Sequence, residues 1–180
     1  MKLVGNGIYL RFLEERDATA KLELNLRNRS FFESYLTTRT EDFYTFEYQL
    51  NSIKSCLASK EKDSGYFWGV FLTDSDVLIG NVSLTEVVRG PLQSCWLGYS
   101  LDKAQNGRGY TTEAVRLILN YAFQTLRLHR IEAGVMPHNS ASIRVLEKVD
   151  FEKEGLSKKN VLINDKWEDH LHFAIINPED

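Results

Sequence analysis

The chain has 180 residues and a mass of 20.8 kDa, a length that suits one domain and leaves little room for two. Hydrophobic residues make up 43% and the 11 glycines add about 6% more, the apolar share of a folded domain, which excludes global disorder. Lys plus Arg total 22 against 25 for Asp plus Glu, a net charge of −3 that excludes the dense positive field on which broad, non-specific nucleic-acid binding depends.

The two cysteines, Cys56 and Cys95, are too few for a disulfide framework or a four-thiolate metal site, and both read as small buried hydrophobes in a reducing compartment. Residues 1–10 carry one lysine and no sustained apolar run, and no later segment approaches the roughly 18 apolar residues of a membrane span. A soluble, cytoplasmic protein with no membrane partner is expected.

Ile8-Tyr9-Leu10-Arg11-Phe12 is β-prone, and Asp17 stands as an N-cap ahead of Ala18, Leu22 and Leu26 at helical spacing. Phe43, Phe46, Leu50, Ile53 and Leu57 then share one face, with Glu41 and Asp42 where the dipole favours negative charge, so residues 41–59 are predicted as one helix. Tyr66 to Leu72 and Val77 to Val88 flank turn chemistry at residues 73–76 and read as a hairpin. Gly80 inside the second run marks a bulge or a close backbone approach. Ser94 to Leu101 makes a third antiparallel strand. From Thr111 to Arg127 polar residues step by three or four opposite Ala114, Val115, Ile118, Ala122 and Leu126, which predicts an amphipathic helix. Arg130 to Met136 reads as a strand, Asn139 to Val149 as a helix, and residues 152–176 as two strands joined near Asn164-Asp165. The expected order is β, α, α, β, β, β, α, β, α, β, β.

The chemistry-bearing piece runs from Leu101 through Asn106-Gly107-Arg108-Gly109-Tyr110-Thr111 into the long helix. Two glycines one residue apart let the backbone take positive φ, so that amides converge while the helix N-terminus adds partial positive charge. A phosphate or diphosphate is the natural guest, although an isolated Gly-x-Gly is more often only a tight connection. A Walker A loop is disfavoured because Tyr110 and Thr111 follow Gly109 where Lys and Ser/Thr are required. A dinucleotide fingerprint needs a third glycine where Thr112 stands and a preceding parallel strand, which three antiparallel strands do not supply.

At these residues the chain resembles the GCN5-related N-acetyltransferases (GNAT), in which such a loop binds the diphosphate of acetyl-CoA. Gly-Arg-Gly-Tyr-x-Thr-Glu-Ala is similar to the branch of ribosomal-protein alanine N-acetyltransferases of the RimJ and RimL type. A second match lies downstream, where Asn139 to Gly155 resembles the family segment Asn-x-x-Ser-x-x-Val-Leu-Glu-Lys-x-Gly-Phe-x-x-Glu-Gly, with Asp150 in place of a glycine. A helix end there favours a left-handed residue, which Asp tolerates better than most.

The resemblance implies a mixed α+β fold: a twisted, mostly antiparallel sheet of about seven strands, a splayed parallel pair at its centre, and flanking helices. It implies acetyl-CoA as co-substrate, no metal, and direct attack by an amine on the thioester. Tyr99, Ser100 and Leu101 are then expected to line the pantetheine arm, and Asn106, Gly107, Arg108, Gly109, Tyr110 and Thr111 to hold the diphosphate. Asn139 would contact the pantetheine region. Ser142, three residues on at the helix start, would donate a proton to the departing thiolate. An α-amine has a reference pKa of about 7.7–8.0 and a lysine amine about 10.4, so a base or a water chain must take a proton. Glu86, near the end of the preceding strand, is the candidate base; it reads equally well as a solvated strand-end residue.

The acceptor implied is a primary amine, first of all the N-terminus of a ribosomal protein. A polyamine, an aminoglycoside or an amino-acid-like metabolite is the alternative, and a non-catalytic acyl-CoA-binding module is another. Monomer and homodimer are both open. His170 and His172 share a strand face but lack a third metal ligand, and His129 and His138 have no assigned role. Phe43, Phe46 and Tyr48 read as core, and Glu41 and Asp42 either cap the helix or attract a cationic amine.

Overall fold

A computed structural model describes every residue except Thr38. One sheet of eight strands runs in the order β1-β2-β3-β4-β5-β6-β8-β7. The strands are β1 (Lys2–Val4), β2 (Ile8–Phe12), β3 (Gly65–Leu72), β4 (Leu78–Val88), β5 (Ser94–Leu101), β6 (Arg130–Val135), β7 (Glu152–Ile163) and β8 (Lys166–Ile176). Every pairing is antiparallel except that of β5 with β6. The helices are α1 (Ala18–Arg27), α2 (Arg29–Glu33), α3 (Phe46–Glu61), α4 (Tyr110–Gln124) and α5 (Ser140–Glu147). This is the mixed architecture expected, with one strand more. β1 is a three-residue edge, too short to leave a periodic signature, and it pairs Leu3 with Leu10 across the turn at Gly5–Gly7.

The sheet is sandwiched because its strands alternate between two apolar faces. On one face Leu10, Trp68, Val82, Leu84, Leu97 and Ile131 pack with Val115, Ile118 and Ala122 of α4 and Leu146 of α5. On the other, Tyr9, Phe71 and Leu78 pack with Ala18 and Leu24 of α1 and Ile53 of α3. Each fully buried aliphatic side chain contributes roughly 1.5–3 kcal/mol, and α4 supplies several, which makes it the anchor of the first layer. Among the described residues no helix is long and apolar enough to cross a membrane.

Three local expectations change. Residues 41–59 are not one helix: Glu41–Tyr44 form a 3₁₀ turn, Thr45 is extended, and its Oγ1 accepts from the Tyr48 amide to start α3. Phe46 is consequently half exposed rather than buried with Ile53. Asp17 does not cap α1. A 3₁₀ turn at Glu15–Asp17 aims its carboxylate backward, where it accepts from the Glu14 amide at 2.7 Å and from both Arg11 amino groups at 2.6 and 2.7 Å. Finally, α2 lies between the two helices expected there.

Gly80 serves both purposes its position suggested. β4 carries one extra residue where Val70 pairs Gly80 and Phe71 pairs Leu78, and a Cβ on Gly80 would stand 2.4 Å from the Ser100 carbonyl oxygen of β5. Asp150 adopts φ +65° at the end of α5, the left-handed turn its position requires.

Candidate active site

The site begins where the parallel pair comes apart. β5 and β6 share only the rungs Ser94–Arg130, Cys95–Ile131 and Trp96–Glu132, whereas β5 continues to pair with β4 as far as Leu101. From Leu97 to Leu101 the β6-side edge of β5 is therefore unpaired, a row of amides and carbonyls that an extended ligand can satisfy as a further strand. A cleft of about 600 Å³ fills the gap, bounded by Leu97–Leu101 on one wall and Ala133–Met136 on the other.

The glycine loop closes one end of the cleft. Gly107 and Gly109 take φ +79° and +81°, and Gly109 is the left-handed N-cap of α4 with no side chain capping the first turn. A Cβ at either glycine would meet nothing within 4 Å, so conformation rather than space demands glycine here. The first amides of α4 are left to a ligand, with the helix dipole behind them. The loop is held to α1: Asp102 accepts from Ala104 N at 3.0 Å and from Arg27 Nε at 2.7 Å, and Lys103 N donates to Asn28 Oδ1 at 2.9 Å. Burial pushes the Asp102 carboxyl up, but Arg27 and the Ala104 amide outweigh it and hold it below the ordinary carboxylate value. Gln105 Oε1 is buried against the cleft with no hydrogen-bond partner among the described residues. An orphaned acceptor, an open strand edge and a nest of free amides are the groups that the amides and diphosphate of an acyl-CoA would satisfy.

On the α5 side, Asn139 caps the helix through Oδ1, which accepts from Ser142 N at 3.1 Å. Ser142 Oγ lies 2.7 Å from the Tyr99 hydroxyl, which also reaches the Ser142 carbonyl at 3.2 Å. Burial drives the Tyr99 phenol up to about 12, so it remains a proton donor near neutrality.

A second cavity of about 320 Å³ opens on the opposite face, under α1, α2 and α3, and meets the cleft at Gly98, Tyr99 and Ser100. Its walls are mostly apolar: Phe32, Phe43, Ile53 and Phe67. Trp68 turns its indole to the α4 face, against Tyr121, and Lys21 on the cavity side donates to Ser52 Oγ at 2.7 Å while burial lowers its ammonium pKa. The tip of the β7–β8 hairpin leans over this end, where Asn164 donates to the Glu33 carbonyl at 2.8 Å.

Of the residues singled out from sequence, Tyr99, Ser100, Leu101, Asn106, Gly107, Gly109, Tyr110, Thr111, Asn139 and Ser142 all line the cleft. Two do not. Arg108 is exposed on the outer side of the loop. Glu86 sits in a β-bulge at φ +52°, beyond the Thr85–Trp96 rung and toward the closed end of the splay, exposed and outside both cavities. The extra residue of the bulge carries it away from the opening, which argues against its role as base. Gln105, Thr112 and His170 line the cleft without having been singled out for it. Gln105 and Thr112 flank the recognised loop; His170 is sixty residues away in sequence from that loop, and only strand pairing brings it there.

Residues 8–152 match the profile of the family described as "Acetyltransferase (GNAT) domain". Over 178 residues, 99% of this chain and 98% of the relative, the sequence is 53% identical to the Bacillus subtilis protein named "Probable N-acetyltransferase YjcK". It is 31% identical to the Escherichia coli [ribosomal protein uS5]-alanine N-acetyltransferase, covering 99% of this chain and 92% of that one. The structure of Mycobacterium smegmatis RimJ in complex with CoA-disulfide superposes with a TM-score of 0.91 at 28% identity, covering 96% of this chain and 83% of that one.

Proposed function

The chain belongs to the GNAT family of N-acetyltransferases, and on that premise we propose that it moves an acetyl group from acetyl-CoA to the N-terminal α-amine of a ribosomal protein. The acceptor reading is carried by the full-length similarity to an enzyme named for such an alanine. The cavity under α1–α3 supports it: an open, largely apolar space that meets the cleft at Gly98–Ser100 suits the first residues of an extended chain.

In this reading the amides around Gly107, Gly109 and the first turn of α4 hold the diphosphate of acetyl-CoA, with Asn106, Tyr110 and Thr111 beside them. Tyr99, Ser100 and Leu101 line the pantetheine arm, and Asn139 orients Ser142 by capping α5. When bound, acetyl-CoA supplies the activated acyl carbon. The chain positions an amine beside it and manages protons. Tyr99, held protonated by burial, donates to the Ser142 carbonyl and stands 2.7 Å from Ser142 Oγ, so the two hydroxyls can pass a proton to the departing sulfur. No side chain need form a covalent intermediate, since neither cysteine lies in the cleft.

Incubation with acetyl-CoA and a panel of N-terminal peptides, polyamines, aminoglycosides and free amino acids, read as acetyl mass gain, tests donor and acceptor together. Acetylation of ribosomal-protein peptides at the α-amine is expected. Preference for a small amine would overturn the acceptor assignment, and binding of acetyl-CoA without transfer would favour a non-catalytic module.

A further inference from the structure

An attacking amine must lose a proton on the face by which it approaches, and the geometry points to His170 as the base that takes it. The inference rests on the acetyltransferase reading and adds a catalytic residue to it. Along β8, Leu171 and Phe173 turn into the core beneath α4 and α5, so His170 and His172 turn to the opposite face, the one onto which the α1–α3 cavity opens. His172 pairs with Gly134 of β6. With no side chain at Gly134, the Trp96 indole of β5 reaches across to stack on His172, ring centres 5.2 Å apart and planes 20° from parallel. His170 completes the group: a Cβ on Gly134 would lie 3.7 Å from His170 Cδ2 and 3.8 Å from Trp96 Cζ3. Gly134 stands two residues past the last β5–β6 rung, where the cleft opens, and His170 is part of its lining.

The hydrogen bonding of the ring sets its chemistry. His170 Nδ1 lies 3.3 Å from the Glu168 carbonyl oxygen, which can only accept, so Nδ1 carries the proton in the neutral ring. Nε2, bonded to the Cδ2 edge that lies over Gly134, then presents its lone pair and makes no hydrogen bond to a described residue. An oriented imidazole with one nitrogen tied to a carbonyl and the other free is the arrangement of a general base. The nearby carboxylates are already engaged. Glu132 is held by Arg130 at 2.6 Å and faces His172 at 3.7 Å, Glu154 is also held by Arg130, and Glu168 pairs with Lys166 at 2.8 Å. Glu33 accepts from Arg29 and from the Tyr44 hydroxyl.

In the transfer, the amine nitrogen forms the new N–C bond while the C–S bond breaks with its electron pair left on sulfur. The amine proton passes to His170 Nε2 and from there to water. Sulfur receives its proton from Ser142 on the other side of the cleft, and Ser142 takes a proton back from water through the Tyr99 hydroxyl. The products are an acetylated amine and free CoA thiol, and no other reactant is required.

The test combines kinetics on the best acceptor of the amine panel with a measurement that needs no turnover. His170→Gln and His170→Asn should each lower kcat about 10²-fold or more, with the Kd for acetyl-CoA within threefold of the parent. The acidic limb of the parent's kcat–pH profile should disappear in His170→Gln but persist in His172→Gln, which separates His170 from the neighbouring Glu132, Glu154, Glu168 and His172. Added imidazole should partly restore His170→Ala. In the free protein, ¹⁵N NMR of the imidazoles, assigned by removing the four histidines one at a time, should show the His170 proton on Nδ1, a result available even where a variant folds poorly. A His170→Gln rate within threefold of the parent, or a neutral ring protonated on Nε2, overturns the assignment. The two readings fail separately: a parent enzyme that prefers a small amine refutes the ribosomal acceptor, while His170 is then judged on that amine.

Discussion

The Tyr99 hydroxyl and Ser142 Oγ stand 2.7 Å apart, joining the unpaired stretch of β5 to the first turn of α5 on one side of the cleft. Tyr99 projects from the free strand edge and Ser142 from the helix that Asn139 caps, so this bond fixes the distance between the elements the carrier must pass. Ser142→Ala should lower kcat roughly 10²- to 10⁴-fold with little change in acetyl-CoA affinity, the cost of one proton donor at a leaving group. Tyr99→Phe, which keeps the ring but frees Ser142 Oγ, should have a smaller effect of the same kind. Steady-state kinetics with calorimetric Kd values decide this, and full activity in Ser142→Ala removes the donor.

Gly80 and Ser100 set the floor beneath that edge. A methyl group on Gly80 would meet a backbone oxygen at 2.4 Å, and neither strand can yield without breaking the β4–β5 ladder. Gly80→Ala should therefore destabilise the protein by about 1–3 kcal/mol, the usual cost of overpacking, and displace Ser100 in the cleft. Chemical denaturation measures the first effect. Acetyl-CoA affinity should weaken in step with it.

Most of the architecture was legible because the strands alternate and α4 and α5 carry regular apolar stripes, which are local signals. The parts that were not legible are of two kinds. β1, α2 and the 3₁₀ turn at Glu41–Tyr44 span three to five residues, too few for a period to show, and Thr45 divides what looks like a continuous stripe from Phe43 to Leu57. The others depend on contacts distant in sequence. Glu86 was placed by its position at a strand end, but one extra residue in β4 turns it from the opening. His170 carries no local mark at all and reaches the cleft because β8 pairs with β6. The glycine loop could be read because a left-handed backbone leaves its signature in residue type.

Asp17 and Arg11 make a bidentate pair with side chains only 9% and 20% exposed, and they predict an acid-dependent loss of stability. Burial alone would raise the Asp17 carboxyl, but Arg11 and the Glu14 amide outweigh it and hold the group below its ordinary 3.8. A carboxyl depressed by folding contributes stability that is complete above its unfolded value and is lost as pH falls through the folded one. Asp17→Asn should cost roughly 1.5–3 kcal/mol at pH 7, the scale of hydrogen bonds to charged groups. The gap between parent and variant should stay constant down to about pH 4 and close below it. Urea titrations of both proteins from pH 7 to pH 3 give the comparison, and a gap that widens in acid contradicts the pairing.

Both cysteines should be silent in the native protein. Cys95 is 1% exposed in the core and burial drives its thiol up to about 12, while burial also raises Cys56 beside the α1–α3 cavity. The reactive species is the thiolate, so at pH 8 neither should react with a disulfide reagent on the minute scale. Denaturant should release two thiols per chain, and a fast native thiol would contradict the core position of Cys95 or the raised thiol of the partly buried Cys56.

Gly109 tests the diphosphate cradle. Its φ of +81° costs an L-residue about 1–2 kcal/mol, and because a Cβ there meets nothing within 4 Å, backbone strain is the whole stability effect. Gly109→Ala should lower stability by that amount. It should weaken acetyl-CoA binding by a larger factor, since relaxation of residue 109 toward negative φ turns the first amides of α4 away from the ligand they are meant to hold. The same substitution at Gly90, also at positive φ with open space around it but in the β4–β5 turn, supplies the control: similar strain with unchanged affinity. Thermal denaturation with calorimetric titration of acetyl-CoA and of desulfo-CoA separates the two effects. Equal affinity in the parent and Gly109→Ala would mean that the amides at the start of α4 do not bind the diphosphate.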